Sequence, residues 1–217
     1  MAREAVNLLG LEMTLHFRTG CVDEAADLVM RCHYSRRLPS NIQFVGSLHE
    51  AGGLFGDYGK AVAAVFFSIP PTRWSEPVLE LSRLVQDGSR PPLSLLIGNA
   101  CRELRKQGAD LLVSFADRTH GHHGGVYQSA SWNYDGCRDR MMDGLLVDGH
   151  FIGGRACNHK WGSRSPSKVS AILGREVQPH YDEGKHLYWR ALGSKGMAKA
   201  KTLGLKSMPY PKPKDAL

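Results

Sequence analysis

The chain has 217 residues, enough for one domain with a hydrophobic core. Its 28 Lys and Arg against 21 Asp and Glu give a formal net charge of +7 at pH 7. No window is long and apolar enough to cross a membrane, so no membrane partner is expected. The N-terminal MAREAVNLLG lacks the sustained apolar run of a secretion signal.

The cysteine pattern predicts a reducing environment. The five cysteines are scattered and form no CxxC pair: Cys21, Cys32, Cys101, Cys137 and Cys157. A disulfide framework or a thiolate zinc site is therefore not expected, and the cytoplasm is the predicted compartment.

The positive charge is concentrated at the C-terminus. Residues 194–217 hold six lysines and one acid. We expect a globular domain over 1–193 and a mobile basic tail over 194–217. Such a tail favours a polyanionic partner such as nucleic acid, although a solvated tail that only aids solubility explains the same charge.

The predicted elements alternate between strands and helices in chain order. Periodicity and turn residues predict a strand at 11–19, a helix at 22–33, strands at 42–49, 61–69 and 78–85, a helix after Pro92, a strand at 109–117, a short helix or loop at 124–132, a hairpin at 144–154 turning at Asp148-Gly149, a helix at 165–174 and a strand at 185–192.

The central helix suggests the fold class. It carries apolar residues at helical spacing, begins at a proline pair and ends near Gly108. It connects two buried strands, which implies a parallel crossover. We predict an α/β fold with a mixed central sheet flanked by helices, in the style of the acyl-CoA N-acyltransferases (GNAT). Other mixed sheets share this element order.

One candidate site lies in LSRLVQDGSRPPLS, where a strand end leads into a helix N-terminus. Unpaired backbone N–H groups favour an anion there, and Ser89, Arg90 and Ser94 could add donors to a phosphate. An ordinary capped helix is the alternative. The glycine-rich pyrophosphate loop of acyl-CoA transferases is absent, because Pro91 and Pro92 occupy part of it.

A second candidate site is SFADRTHGHHGGVYQ, residues 114–128. Asp117 follows a buried strand, so it is a candidate general base or ligand at the edge of the sheet. Metal ligation by His120, His122 and His123 stays open beside a solvated loop, because their spacing matches no known ligand pattern.

Two further segments combine cations with aromatic or titratable side chains. In RCHYSRRLP, His33 and Tyr34 could exchange protons, and Arg36 and Arg37 could hold nucleic-acid phosphates. Cations at the helix C-terminus are the alternative. The segment NHKWGSRSPSK adds three candidate DNA-binding cations: Lys160, Arg164 and Lys168.

From about residue 31 to the C-terminus, five segments in order resemble the Mom proteins of bacteriophages: HYSRRLP, LELSRLV, SFADRTHGHHGGVYQSASWNYDG, KHLYWRAL and PYPK. The resemblance implies a GNAT-like enzyme that converts adenine in phage DNA to its N6-carbamoylmethyl (acetamido) form and thereby protects the DNA from host restriction. It implies acetyl-CoA, or another acyl or amide donor, and it raises iron as a cofactor.

The resemblance also assigns residues. The catalytic residues it implies are His33, Tyr34, Asp117 and Tyr127. The donor-binding residues are Arg83 and Ser94, with Ser89 and Arg90 added from the helix N-terminus. His33, Tyr34 and Asp117 form a nitrogen and oxygen set that suits iron. The pattern does not assign His122 or His123.

The expected partners are double-stranded DNA with an extruded adenine and an acyl donor, in the cytoplasm of the host bacterium. A homodimer is allowed. Three alternatives stay open. They are an ordinary N-acetyltransferase acting on a small amine or protein, a non-catalytic DNA-binding protein, and a zinc nuclease built on the histidine cluster.

Overall fold

A computed structural model describes residues 4–8, 11–51, 58–71 and 74–212. The strands are β1 Glu4–Leu8, β2 Leu11–Thr19, β3 Ile42–Ala51, β4 Tyr58–Ser68, β5 Leu79–Gln86, β6 Leu111–Asp117, β7 Asn133–Cys137, β8 Met142–Val147, β9 His150–Gly153, β10 Val177–Tyr181 and β11 Lys185–Ala191. The helices are α1 Val22–Cys32, α2 Leu93–Lys106, α3 Gly125–Ser129, α4 Gly154–Trp161, α5 Pro166–Leu173 and α6 Ser194–Thr202, with a 3-10 turn at Arg118–His120.

The chain divides into two compact units. The first unit comprises Met1–Phe115, Gly124–Asp135 and Leu187–Tyr210. The second comprises Ala116–His123, Gly136–His186 and Pro211–Leu217. The C-terminal assignments include residues 213–217, which lie outside the described ranges.

The main sheet has eight strands in the order β1-β2-β3-β4-β5-β6-β11-β7. Strands β2 to β5 form an antiparallel meander, while β5 and β6 are parallel and are joined through α2. The predicted mixed α/β sheet and its parallel crossover are therefore confirmed.

Strand β4 forms the centre of the core. Its apolar run is fully buried, and Phe66 and Phe67 have no exposed surface. Helix α1 packs on it through Ala25, Leu28 and Val29. A strand buried on both faces reads as a continuous hydrophobic run, which is why AVAAVFF lacks alternation.

The parallel pair β5–β6 opens after two residue pairs. Only Leu79 with Leu112 and Glu80 with Val113 are in register. Just beyond, the pairing of β5 with β4 shifts, so that Ser82 is the extra residue of a bulge. A bulge bends its strand and re-aims the side chains beside it. Strand β5 has no register with β6 beyond this point, and we call this opening of the strand pair the crevice.

The second unit contains a three-stranded sheet in the order β10-β8-β9. Asp148 and Gly149 have φ values of 51° and 76°, as a tight type I′ hairpin turn requires. The hairpin predicted at this dipeptide is confirmed. Its buried core residues are Leu145, Val147, Cys157, Val169 and Val177.

The prediction of a mobile tail is wrong for residues 194–210. Helix α6 covers Ser194–Thr202, and Lys199 donates to Asp110 at 2.7 Å. Trp189 Nε1 donates to the carbonyl of Lys206 at 2.7 Å. These bonds anchor the basic segment to the sheet. The division of the chain into a catalytic domain (1–193) and a basic C-terminal segment (194–217) stays a prediction.

Several elements were not expected from the sequence. They are β1, β7, β10, α4 and α6. Most are short strands or helices whose local pattern is too brief to read, so tertiary packing determines them. Among the described residues, no helix is long and apolar enough to cross a membrane.

A glycine substitution tests the packing of α6. A Cβ at Gly196 would lie 1.9 Å from the carbonyl oxygen of Asp110, whereas a Cβ at Gly98 of α2 meets nothing within 4 Å. We expect Gly196→Ala to lower the free energy of unfolding by about 1–3 kcal/mol, as overpacking does.

The matched control is Gly98→Ala, which should raise the free energy of unfolding by up to about 1 kcal/mol through helix propensity. Urea denaturation of both variants measures the difference. Equal stability of the two would show that α6 does not pack against Asp110.

Candidate active site

A hydrogen-bond chain spans the point where the parallel strands separate. Ser114 Oγ lies 2.9 Å from the carbonyl oxygen of Leu81 and 2.8 Å from the phenol oxygen of Tyr127. A carbonyl only accepts, so the serine hydrogen goes to Leu81 and the phenol donates to Ser114. Tyr127 therefore has its proton committed inside the first unit.

Burial reinforces this assignment. Tyr127 is 7% exposed, and burial raises the pKa of its phenol to about 12. Its ring packs against Trp132 and Tyr188, with centroid distances of 5.5 and 5.1 Å. Tyr127 is therefore suited to positioning the crevice and poorly suited to releasing a proton near pH 7.

Gly124 allows the ring of Tyr188 to lie against the backbone. Its φ is +80°, and a Cβ there would be 2.2 Å from the Tyr188 ring. Gln128 donates to the Tyr188 hydroxyl at 3.1 Å. This glycine of the GHHGG segment is thus required by close packing.

The residues after α1 form a two-ring platform. The rings of His33 and Tyr34 lie 4.3 Å apart between centroids, and Tyr34 is 55% exposed. His33 Nδ1 accepts from the backbone N–H of Ser35 at 3.1 Å. The neutral imidazole therefore carries its hydrogen on Nε2, which makes His33 a donor at that atom.

Arg83 links this platform to the opened strand. Its Nε donates to the carbonyl of Arg37 at 2.9 Å, and an Nη donates to the carbonyl of Ser82 at 2.5 Å. The arginine of LELSRLV thus anchors the HYSRRLP loop beside the bulge of β5. Its expected role in binding the donor stays a prediction.

Sequence reasoning missed Glu80. This half-buried carboxylate belongs to the last in-register pair of β5 and β6. Its charge and the phenol of Tyr34 both add to the raised pKa of Tyr127, after the larger effect of burial. Glu80, Tyr34 and Tyr127 therefore lie within electrostatic reach of one another. The partly alternating apolar and polar pattern of this strand gave no indication that Glu80 lies near these residues.

The residues before α2 have local partners, and the expected phosphate contacts of Ser89, Arg90 and Ser94 stay a prediction. Ser89 donates through its backbone and its hydroxyl to Asp87, at 3.0 and 2.6 Å. Lys60 lies 3.7 Å from the same carboxylate. Ser89 therefore closes a turn in which its N–H and its hydroxyl both bind the carboxylate of Asp87. Arg90 adopts φ 56°, and Ser94 lines a cavity on the face of α2.

In the second unit, Asp117 has local structural contacts. Its Oδ1 accepts from the backbone N–H of Thr119 at 3.0 Å, which caps the 3-10 turn, and its Oδ2 lies 3.6 Å from Lys185 Nζ. Lys185 also lies 3.7 Å from Asp182. A catalytic role for Asp117 stays a prediction.

The histidine cluster also belongs to the second unit. The rings of His120 and His122 are 6.1 Å apart between centroids. Burial, then the charge of Arg118, lowers the pKa of the buried His186. Within the described ranges, no three His, Cys, Asp or Glu side chains are grouped to hold a metal ion.

That finding bears on both metal predictions. The zinc nuclease reading has no support in the described part of the chain. The members of the expected iron set, His33, Tyr34 and Asp117, belong to two different units, and the described residues give no support for an iron site.

The predicted DNA-binding cations are also divided between the units. Arg36 and Arg37 are exposed after α1 in the first unit. The other three belong to the second unit: Lys160 lies on α4, Arg164 lies between α4 and α5, and Lys168 lies on α5. Lys160 Nζ lies 5.0 Å from the Trp161 ring centroid, so this cation and ring share one surface.

A cavity of about 680 Å³ lies at the opposite, amino ends of β5 and β6. Trp74, Val78, Asp110 and Lys199 contribute to its lining. In α/β sheets ligands bind beyond the carboxyl ends of the strands, which favours the crevice at Ser114 over this cavity.

The family comparison agrees with this geometry. The model of the Mom protein family matches residues 14–212. The chain belongs to the Mom protein family. The match includes the His33–Tyr34 platform, the opened β5–β6 pair and the SFAD segment, so the family resemblance predicted from the sequence is confirmed.

Solved acetyltransferases are similar in fold. The ribosomal-protein-S18-alanine N-acetyltransferase from Escherichia coli has 12% identity and a TM-score of 0.46, over 82% of this chain and 94% of that one. A Bacillus subtilis acetyltransferase in complex with CoA has 11% identity and a TM-score of 0.45, over 82% and 98%.

An aminoglycoside 6′-acetyltransferase type Ii has 11% identity and a TM-score of 0.47, over 82% and 97%. No curated protein matches the sequence.

The buried phenol of Tyr127 generates a prediction at alkaline pH. Burial raises its pKa to about 12 in the folded chain, above the value of about 10 that an exposed tyrosine has. Between these values the unfolded phenol ionises while the folded one stays neutral, so stability falls as the pH rises from about 10 to 12. We expect Tyr127→Phe to make this alkaline loss of stability shallower.

Urea denaturation across that pH range measures the effect. Tyr181→Phe, which removes an exposed phenol on β10, is the matched control and should retain the wild-type slope. An identical slope for wild type and Tyr127→Phe would contradict the assignment.

Proposed function

We propose that this member of the Mom family is a DNA-modifying transferase that converts adenine to N6-carbamoylmethyl adenine with an amide donor of the form X–CH2–C(O)NH2, in which X is the leaving group. The acetyl group of acetyl-CoA, the expected cofactor, has no amide nitrogen and no leaving group on its methyl carbon, so acetyl-CoA serves as a probe of donor binding and is not itself the source of the transferred group. The carrying observation is the opened β5–β6 pair, with a carboxylate and a two-ring platform gathered around it. Modification of this kind would protect phage DNA from host restriction.

The crevice fits a linear, amide-bearing donor. Strand β5 has no register with β6 beyond Glu80, and an extended ligand could add to this strand edge past the Leu81 carbonyl, which Ser114 already occupies. The donor would supply the carbon unit to be transferred. Arg83, beside the bulge, is the proposed contact for its polar groups.

The platform fits an extruded purine. Adenine N6 lies inside the duplex, so the base must leave the stack at a cost of a few kcal/mol, offset by stacking and edge contacts. Tyr34 is exposed, and His33 supports its ring from one side. We propose that the adenine stacks on Tyr34.

The chemistry requires a proton acceptor, since the N6 lone pair is delocalised into the ring. N6 attacks the methylene carbon of the donor X–CH2–C(O)NH2. The new N6–C bond replaces the C–X bond, whose electron pair departs with X, and N6 loses one proton. Glu80 is the proposed acceptor in the first unit, and Asp117 stays the candidate from the second. The Nε2–H of His33 is suited to donating a hydrogen bond to developing negative charge.

Tyr127 takes a positioning role in this scheme. It holds Ser114 on the carbonyl of Leu81 and so fixes the mouth of the crevice. The expectation of direct proton transfer from Tyr127 is replaced here by this role, because its proton is already donated to Ser114.

An N-acetyltransferase acting on a small amine is the second candidate, since the same opened strand pair and carboxylate would serve it. It predicts acetyl transfer without DNA. A non-catalytic DNA-binding protein predicts that Glu80→Gln leaves protection against restriction unchanged.

Mass spectrometry of nucleosides tests the proposal. Plasmid DNA from bacteria expressing the wild-type chain should contain a new adenosine species heavier by one carbamoylmethyl group. Glu80→Gln keeps the size of the side chain and removes the base, so we expect a loss of about 100-fold or more in the modified fraction.

Glu176→Gln, an exposed carboxylate in the second unit, is the matched control and should modify DNA as the wild type does. Unmodified DNA from cells that express folded wild-type protein would contradict the function. A full product yield from Glu80→Gln would remove this residue from the mechanism.

Base extrusion makes a separate prediction. A duplex with 2-aminopurine at the target position should gain fluorescence on binding, because the unstacked base is no longer quenched. Tyr34→Ala should reduce the fluorescence gain and Tyr181→Phe should not. Binding without any gain would contradict extrusion.

A further inference from the structure

One face of α2 opens into two connected cavities of about 430 and 260 Å³. Both are lined by Gly98, Arg102 and Arg190, so they form one groove within the first unit. We call it the arginine groove. The larger cavity adds Ser94, Leu95 and residues 129–131; the smaller adds Cys101, Arg105 and residues 191–193.

The groove follows the helix axis. Ser94, Gly98, Arg102 and Arg105 are four, four and three residues apart, which places them on one helical face. At a rise of 1.5 Å per residue, this stripe is roughly 17 Å long. Gly98 has open space where a Cβ would be, which widens the groove at its middle.

Most guanidinium N–H donors of the groove arginines are not used in hydrogen bonds within the part of the protein that the structure describes. Arg102 donates to Asn99 at 2.7 Å, and Arg190 donates to the carbonyl of Ala130. Arg105 has no partner among the described residues. Each guanidinium carries five N–H donors, so most of them remain for a ligand.

No negative charge balances these cations within the groove. The residues that line the two cavities, all from the described ranges, include no Asp or Glu. Glu103 of α2 pairs instead with Lys106, at 2.8 Å, outside the lining. Burial raises the pKa of the Cys101 thiol to about 11, so this group is neutral at pH 7.

We propose that the arginine groove binds successive phosphates of the DNA backbone, a contact that rests on the proposed function and adds a surface to it. Planar guanidinium groups match phosphate oxygens two at a time. The spread of cations along the groove fits a chain of phosphates. A single diphosphate of a nucleotide-bearing donor would occupy only one part of it.

The salt dependence of DNA binding tests this surface. Fluorescence anisotropy of a labelled duplex is measured for the full chain, for Arg102→Gln/Arg105→Gln and for Lys106→Gln, over a range of salt concentrations. Each lost phosphate contact reduces the slope of log K against log salt by about 1. We expect the double variant to lose about two units of slope and Lys106→Gln to lose none.

Lys106 is the matched control because it is an exposed cation on the same helix turn, outside the groove. Arg190 is kept, since it also bonds to Ala130. Both exposed arginines can change without disturbing the core, and circular dichroism checks the fold.

Acetyl-CoA titration by calorimetry distinguishes the other source of phosphate. A double variant that loses affinity for acetyl-CoA but keeps the wild-type DNA slope would assign the groove to the donor and overturn the proposal. So would a double variant that matches Lys106→Gln in the DNA assay. If the double variant loses slope while the wild-type protein produces no modified adenosine, the arginine groove is still a DNA-binding surface. Only the proposed function is then rejected.

Discussion

The hydroxyl of Ser114 is the group on which the candidate site depends. Two parallel strands that stop pairing leave backbone carbonyls without partners, and a buried carbonyl without a hydrogen bond costs about 1–3 kcal/mol. Ser114 satisfies the carbonyl of Leu81 at the point of separation, and Tyr127 holds the serine in place. The carbonyl of Leu81 is therefore not left without a hydrogen bond where the strands part.

The bulge at Ser82 and the anchor at Arg83 extend this arrangement outward. The bulge bends β5 away from its parallel neighbour, and Arg83 bonds the loop after α1 to the bent strand. His33 and Tyr34 thereby belong to the same unit as Glu80 and Tyr127. The same unit thus holds site residues that are 46 to 94 positions apart in the sequence.

The elements that the sequence predicted best are those whose pattern is local. Strand β4 is a continuous apolar run, α2 has helical spacing after a proline pair, and Asp148-Gly149 specifies its own turn. The basic segment after residue 193 could not be read in this way. Its lysine content is typical of a solvated tail. Its hydrogen-bond partners, Asp110 and the carbonyl of Trp132, lie far away in the sequence and could not be predicted from it.

The site was only partly predictable for the same reason. The motifs supplied His33, Tyr34 and Tyr127, but they gave no indication that the phenol of Tyr127 is committed to Ser114. Glu80 was missed because a carboxylate in a partly alternating strand normally faces solvent. The end of a β-ladder is a tertiary feature, and no residue type encodes it alone.

Hydrogen–deuterium exchange of the full chain with and without acetyl-CoA tests the central claim most directly. If the opened strand pair is the donor crevice, saturating acetyl-CoA slows amide exchange in β5 beyond Leu81 and at residues 114–115. Protection confined to the residues around Trp74, at the opposite ends of the same strands, would contradict the account.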